Sequence, residues 1–102
     1  MSEKICKCID HLIDMVDFIT DARSYIHTGR YYEEAADSID MAKEELDKLE
    51  KCLGIDLSNV REALDEAFKL TEEPRLKISK IEERLDAAIL RALWAIKDKV
   101  CR

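Results

Sequence analysis

Four cysteines and one nearby histidine are the side chains of this 102-residue sequence best equipped for chemistry: Cys6, Cys8, Cys52 and Cys101, with His11 close to the first pair. Thiolates and an imidazole together suit zinc, and thiols alone can bridge. The spacing argues against a metal. Cys6 and Cys8 stand two residues apart, which on a helix turns them about 200° from one another. No Cys-x-x-Cys pair is present. Small unbridged thiols are the plainest reading. A disulfide joining Cys6 or Cys8 to Cys52 is the more credible of the two chemistries, although such bonds are uncommon in cytosol. No metal and no cofactor is expected.

Carboxylates are the next candidates. Asp10, Asp14, Asp17 and Asp21 recur at steps of 4, 3 and 4, and Glu33, Asp37, Asp40, Glu44 and Asp47 form a second line. Two facing lines of this kind could hold divalent ions. Both lines lie opposite apolar seams, so they read as solvated faces. Glu82-Glu83-Arg84-Leu85-Asp86 slightly resembles the acidic pattern of all-α nucleotide pyrophosphohydrolases, which hold magnesium on two carboxylate-bearing helices. That resemblance implies ligands at Glu83 and Asp86. Its other element is broken, because Glu44-Glu45 is followed by Lys48 where a third Glu belongs. His11 and His27 have no readable catalytic partner, and there is no glycine-rich phosphate loop. No catalytic residue is assigned.

Two further groups could recognise a partner. Lys77, Arg84 and Arg91 repeat every seven residues, with Lys80 beside them. Such a basic stripe could contact phosphates of a nucleic acid. No aromatics interleave with it, and pairing with acidic neighbouring helices is the simpler expectation. Tyr25, His27, Arg30, Tyr31 and Tyr32 crowd around Gly29. They form a recognition tip or, more simply, plug one end of the fold.

These residues must be carried by helices. Apolar side chains keep a three-and-four spacing that breaks only at Gly29, Gly54 and Pro74, which gives four helices, at about 3–28, 31–53, 58–71 and 74–100. In the first, Ile5, Ile9, Leu12, Val16, Ile19 and Ile26 form the seam, widened by Ile13, Met15 and Ala22. In the second, Tyr32, Ala35, Ile39, Ala42, Leu46, Leu49 and Leu53 do so. Ser58 reads as the N-cap of a short third helix whose Val60, Leu64, Ala67 and Phe68 face inward. In the fourth, Ile78, Ile81, Leu85, Ala88 and Ala92 form one seam, and Ile89, Leu93, Ile96 and Val100 a second, with Trp94 nearby. Gly29 and Gly54 suit left-handed positions just past helix ends, and Pro74 suits a first helical turn.

Short connections make successive helices antiparallel. The expected fold is all-α: a four-helix bundle of two antiparallel hairpins in a single domain. It brings the cysteines near one end and the Gly29 turn to the other. The third helix is too short for its neighbours, so the overhanging end of the fourth is expected to support a homodimer.

The formal net charge is −6, unevenly placed. Residues 1–74 carry 9 Lys/Arg and 19 Asp/Glu, hence −10; residues 75–102 carry 8 and 4, hence +4. The asymmetry marks a partner surface or internal complementarity. The polar N-terminus does not read as a secretory signal. The most apolar stretch, Ala87 to Ile96, is interrupted by Arg91 and falls far short of the roughly 20 residues that a membrane span needs. A cytoplasmic protein with no membrane contact is expected.

The stretch Thr20-Asp21-Ala22-Arg23-Ser24-Tyr25-Ile26-His27-Thr28-Gly29-Arg30-Tyr31, with Leu53-Gly54-Ile55 downstream, resembles an uncharacterised family of small archaeal helical domains. The resemblance implies a helical hairpin over residues 20–55 and no particular activity, though some members sit beside nucleotidyltransferase-like domains. Tyr25-Ile26-His27-Thr28-Gly29-Arg30 followed by Glu33-Glu34-Ala35 also looks like the hairpin of translin-like nucleic-acid proteins.

The functional expectation is a small non-enzymatic helical module that binds another protein or itself. The alternatives are a nucleic-acid-associated protein using the basic stripe and a magnesium-dependent nucleotide hydrolase using the carboxylates.

Overall fold

A computed structural model describes residues 2–29, 31–72 and 77–100 of the chain, with side chains between 7 and 99 in those ranges. Four helices follow one another: α1 (Ser2–Thr28), α2 (Tyr32–Leu53), α3 (Ser58–Thr71) and α4 (Ile78–Val100). They pack as two hairpins, α1 with α2 and α3 with α4, and α2–α3 and α4–α1 contacts close the ring. Among the described residues the diagonal pairs α1–α3 and α2–α4 do not approach one another. The bundle is rod-like, 46 × 18 × 16 Å, as helices of about 1.5 Å rise per residue require.

Two glycines end the helices of the first hairpin. Gly29 has φ 71° and Gly54 φ 66°, a left-handed backbone that a side chain disfavours. The Gly54 N–H donates to Glu50 O at 2.8 Å, closing the last turn of α2. Gly29 N–H donates to Ile26 O.

The start of α3 differs from the sequence expectation. Leu57 occupies the capping position, Ser58 is the first helical residue, and no side chain caps from Leu57 itself. Two carboxylates take over that work: Glu50 Oε2 accepts the Leu57 N–H at 2.7 Å, and Asp56 Oδ1 accepts the Ser58 N–H at 3.0 Å. Helix α4 begins later than expected, at Ile78, because Lys77 lies outside the helix and accepts its first bond, from Ile81 N–H. Pro74 falls among residues 73–76, outside the described residues.

Met15, Ile19, Ala22 and Ile26 of α1, Ile39, Leu46 and Leu49 of α2, Leu64 of α3 and Ile81 and Leu85 of α4 are fully buried. Leu57, in the α2–α3 link, joins them. The expected seam of α1 holds at Ile19 and Ile26, with Leu12 and Val16 half-buried against the core, but Ile9 and Ile13 need correction: both are exposed, and Cys8, Met15 and Ala22 are fully buried beside Ile19 and Ile26. Helix α2 covers α1 more extensively than α4 does, so the buried line rotates toward α2 and the α4 side of α1 is left partly uncovered. On α4 the first seam is buried or nearly so, whereas in the second Leu93 is exposed and Ile89 and Ile96 are only half-covered. The side chains of Ile5 and Val100 lie outside the described residues. Among the described residues no helix is long and apolar enough to cross a membrane.

Candidate functional site: an uncovered apolar strip beside a cross-linked hairpin

The cysteine end is built by the antiparallel pairing of α1 and α2. Cys8, fully buried, is joined by a disulfide to Cys52, 44 residues on, with their Cα atoms 5.6 Å apart. The side chain of Cys6 and the whole of Cys101 lie outside the described residues. Further along the same interface, His11 Nδ1 meets Glu45 Oε2 at 2.9 Å, and Lys48 Nζ reaches the other Glu45 oxygen at 3.3 Å. Partial burial works against ionisation of Glu45, but the hydrogen bonds from His11 and Lys48 outweigh it and hold its pKa below the usual carboxylate value.

A second polar cluster joins α2 to α3. Arg61 donates to both Asp47 and Glu50, and Glu50 also receives the Leu57 N–H. The Arg61 bond and the Leu57 bond lower the Glu50 pKa despite its burial, and the same contact raises that of Arg61. Asp56 is lowered mainly by the Ser58 N–H. This cluster fixes how the second hairpin leaves the first. Of its carboxylates Asp56 borders a groove, and Asp47, Glu50 and Arg61 serve the junction between the helices.

The basic stripe is partly committed to internal contacts. Arg84 pairs with Glu66 at 2.9 Å and Arg91 donates to Asn59 O at 2.8 Å, both on α3, while Lys77 and Lys80 are exposed. On the other side of α4, Arg23 of α1 contacts Glu82 at 3.5 Å and Asp86 at 3.2 Å, and His27 contacts Glu82 at 3.4 Å. Charge asymmetry along the chain is thus used in part for pairing between neighbouring helices.

Every carboxylate of the two lines on α1 and α2 is exposed. The two elements of the hydrolase-like pattern do not meet: Glu44 and Glu45 are on α2, Glu83 and Asp86 on α4, and these helices are diagonal in the ring. Among the described residues no group of three or more His, Cys, Asp or Glu could hold a metal ion. At the Gly29 turn, Tyr25 and Tyr31 meet edge to face with ring centres 6.0 Å apart, both exposed, while the Tyr32 hydroxyl comes near Gly29. The His27 side chain is 82% exposed, and Arg30 lies outside the described residues.

What sequence reasoning located only by neighbourhood is the apolar strip. Leu90, Leu93 and Trp94 of α4 are exposed, Trp94 at 60%, and Lys97 lies over the indole at 4.9 Å from its centre. The Arg23 and His27 contacts set α1 antiparallel to α4, a register that puts Ile13 and Ile9 level with the last turns of α4. On the α3 side of α4, Ile55, Ala87, Leu90, Trp94 and Ala95 line an open groove of about 650 Å³. Monomeric proteins scatter exposed apolar residues singly, and contiguous strips mark contact surfaces.

No protein-family model matches this chain, and neither a curated protein sequence nor a solved structure does.

Proposed function

We propose that this protein is a non-enzymatic helical interaction module that holds a protein partner on the outward face of α4 and the adjoining turns of α1. The observation that carries this reading is the placement of exposed apolar residues. Among the described residues eight large apolar side chains are exposed, and five of them fall on the first half of α1 or the second half of α4: Ile9, Ile13, Leu90, Leu93 and Trp94. Burying an exposed Leu or Trp yields on the order of 1.5–3 kcal/mol each, so this strip gains from a covering partner.

Comparative affinity capture with the wild type and Trp94→Glu tests the reading. Proteins held by the wild type and lost by the variant support it. Identical retention by both overturns it. Trp94 is mostly exposed, so the substitution leaves the fold intact, which circular dichroism checks.

A further inference from the structure

Along its outward face α4 carries, in order, Glu83 and Asp86, then Leu90, Leu93 and Trp94, then Lys97, and all six are exposed. Glu83, Asp86, Leu90 and Leu93 follow one another at steps of three and four, Trp94 stands beside Leu93 and Lys97 three residues on, so the six share one arc of about 100° on the helix. The stripe begins acidic, is apolar in the middle and ends basic. A surface with that order is complementary to itself when turned end for end. Placed antiparallel with Leu90 facing Leu90, Lys97 of one copy comes level with Glu83 of the other, twice by symmetry. Leu93 comes level with Ala87, a small half-buried residue that lines the 650 Å³ groove beside Leu90 and Arg91, and Trp94 comes level with Asp86. A parallel arrangement would instead set Glu83 against Glu83 and Lys97 against Lys97.

We infer that the occupant of the α4 strip is a second copy of this chain, docked antiparallel about a two-fold axis at Leu90. The inference rests on the interaction reading above and names its partner. A two-fold interface is isologous, so each favourable pair occurs twice and each defect counts twice. The apolar centre supplies affinity, and the flanking charges supply orientation. Trp94 is the large aromatic anchor of such an interface.

Sedimentation equilibrium of the full chain tests this with four variants: Leu90→Asp, Lys97→Glu, Glu83→Lys and the double exchange Glu83→Lys/Lys97→Glu. Each changes exposed side chains, and helix content measured alongside verifies folding. The expected result is a wild-type dimer that Leu90→Asp abolishes. Each single charge reversal weakens it about tenfold, because two attractive contacts become repulsive, and the double exchange restores it. A wild type that stays monomeric to high concentration overturns the inference, as does a dimer that the double exchange fails to restore. If the wild type is monomeric while Trp94→Glu still loses a captured protein, self-pairing fails and the interaction reading stands. If dimerisation is indifferent to Leu90→Asp and capture to Trp94→Glu, both fail.

Discussion

Cys8 and Cys52 are bonded across the α1–α2 interface with their Cα atoms 5.6 Å apart, tying the beginning of one helix to the end of the next. In the chain-entropy account, closing a loop with a sequence separation of 44 stabilises the folded state by about 4 kcal/mol, mostly by restricting the unfolded chain. Urea unfolding with and without reductant is expected to show a lower midpoint on reduction. A Cys8→Ala/Cys52→Ala variant should start at the lower midpoint and respond little to reductant. Equal reductant sensitivity of the variant and the wild type would refute the pairing.

Glu50 organises the entry to α3, since it receives both the Leu57 N–H and the Arg61 guanidinium. Its folded pKa lies below the ordinary value of 4.5, so its contribution to stability is complete above that value and disappears as pH falls through the folded pKa. Glu50→Gln should therefore cost roughly 1–2 kcal/mol near neutral pH and much less in acid, where the wild-type carboxyl is itself protonated. Denaturant unfolding of both proteins at the two pH values measures this. A penalty independent of pH would contradict the charge-assisted role.

His11 and Glu45 make the matching prediction between α1 and α2. Burial raises the Glu45 pKa, while the His11 and Lys48 bonds lower it further than burial raises it. Removing His11 as His11→Ala should move the Glu45 carboxyl titration upward, as followed by its side-chain carbon resonance. No movement would mean that the 2.9 Å contact does not persist in solution.

Gly54 isolates the backbone cost of a left-handed residue. A Cβ placed there meets nothing within 4 Å, so strain at φ 66° is the only penalty. Gly54→Ala is expected to cost about 1–2 kcal/mol by thermal or denaturant unfolding, and Gly54→Asn less, because Asn tolerates this conformation better. Equal stability of all three forms would contradict the capping role.

The helix count was legible because three-and-four spacing and the two glycines act within a few residues. Which part of each apolar face is covered was less legible. Ile9 and Leu12 both suit the α1 seam by spacing, yet Leu12 packs on the core and Ile9 is exposed, because the relative cover from α2 and α4 decides between them. The Glu50 role depends on a backbone N–H seven residues away and an arginine eleven away, separations that no helical repeat announces. Ser58 has capping chemistry but is the first residue inside α3, with its N–H taken by Asp56. For the strip, Trp94 and the breadth of the α4 apolar arc were visible in the sequence. That the face toward α3 and the outside would stay uncovered followed only from the packing.

The sole tryptophan of the chain sits on that face, so its emission reports directly whether the face is covered. Fluorescence of Trp94 should be recorded from sub-micromolar to near-millimolar protein, for the wild type and for Leu90→Asp. The wild type is expected to move from the long-wavelength emission of an exposed indole to shorter wavelength as copies associate, and Leu90→Asp to stay at long wavelength throughout. Wild-type emission that remains that of an exposed indole at every concentration would contradict the self-paired α4 interface.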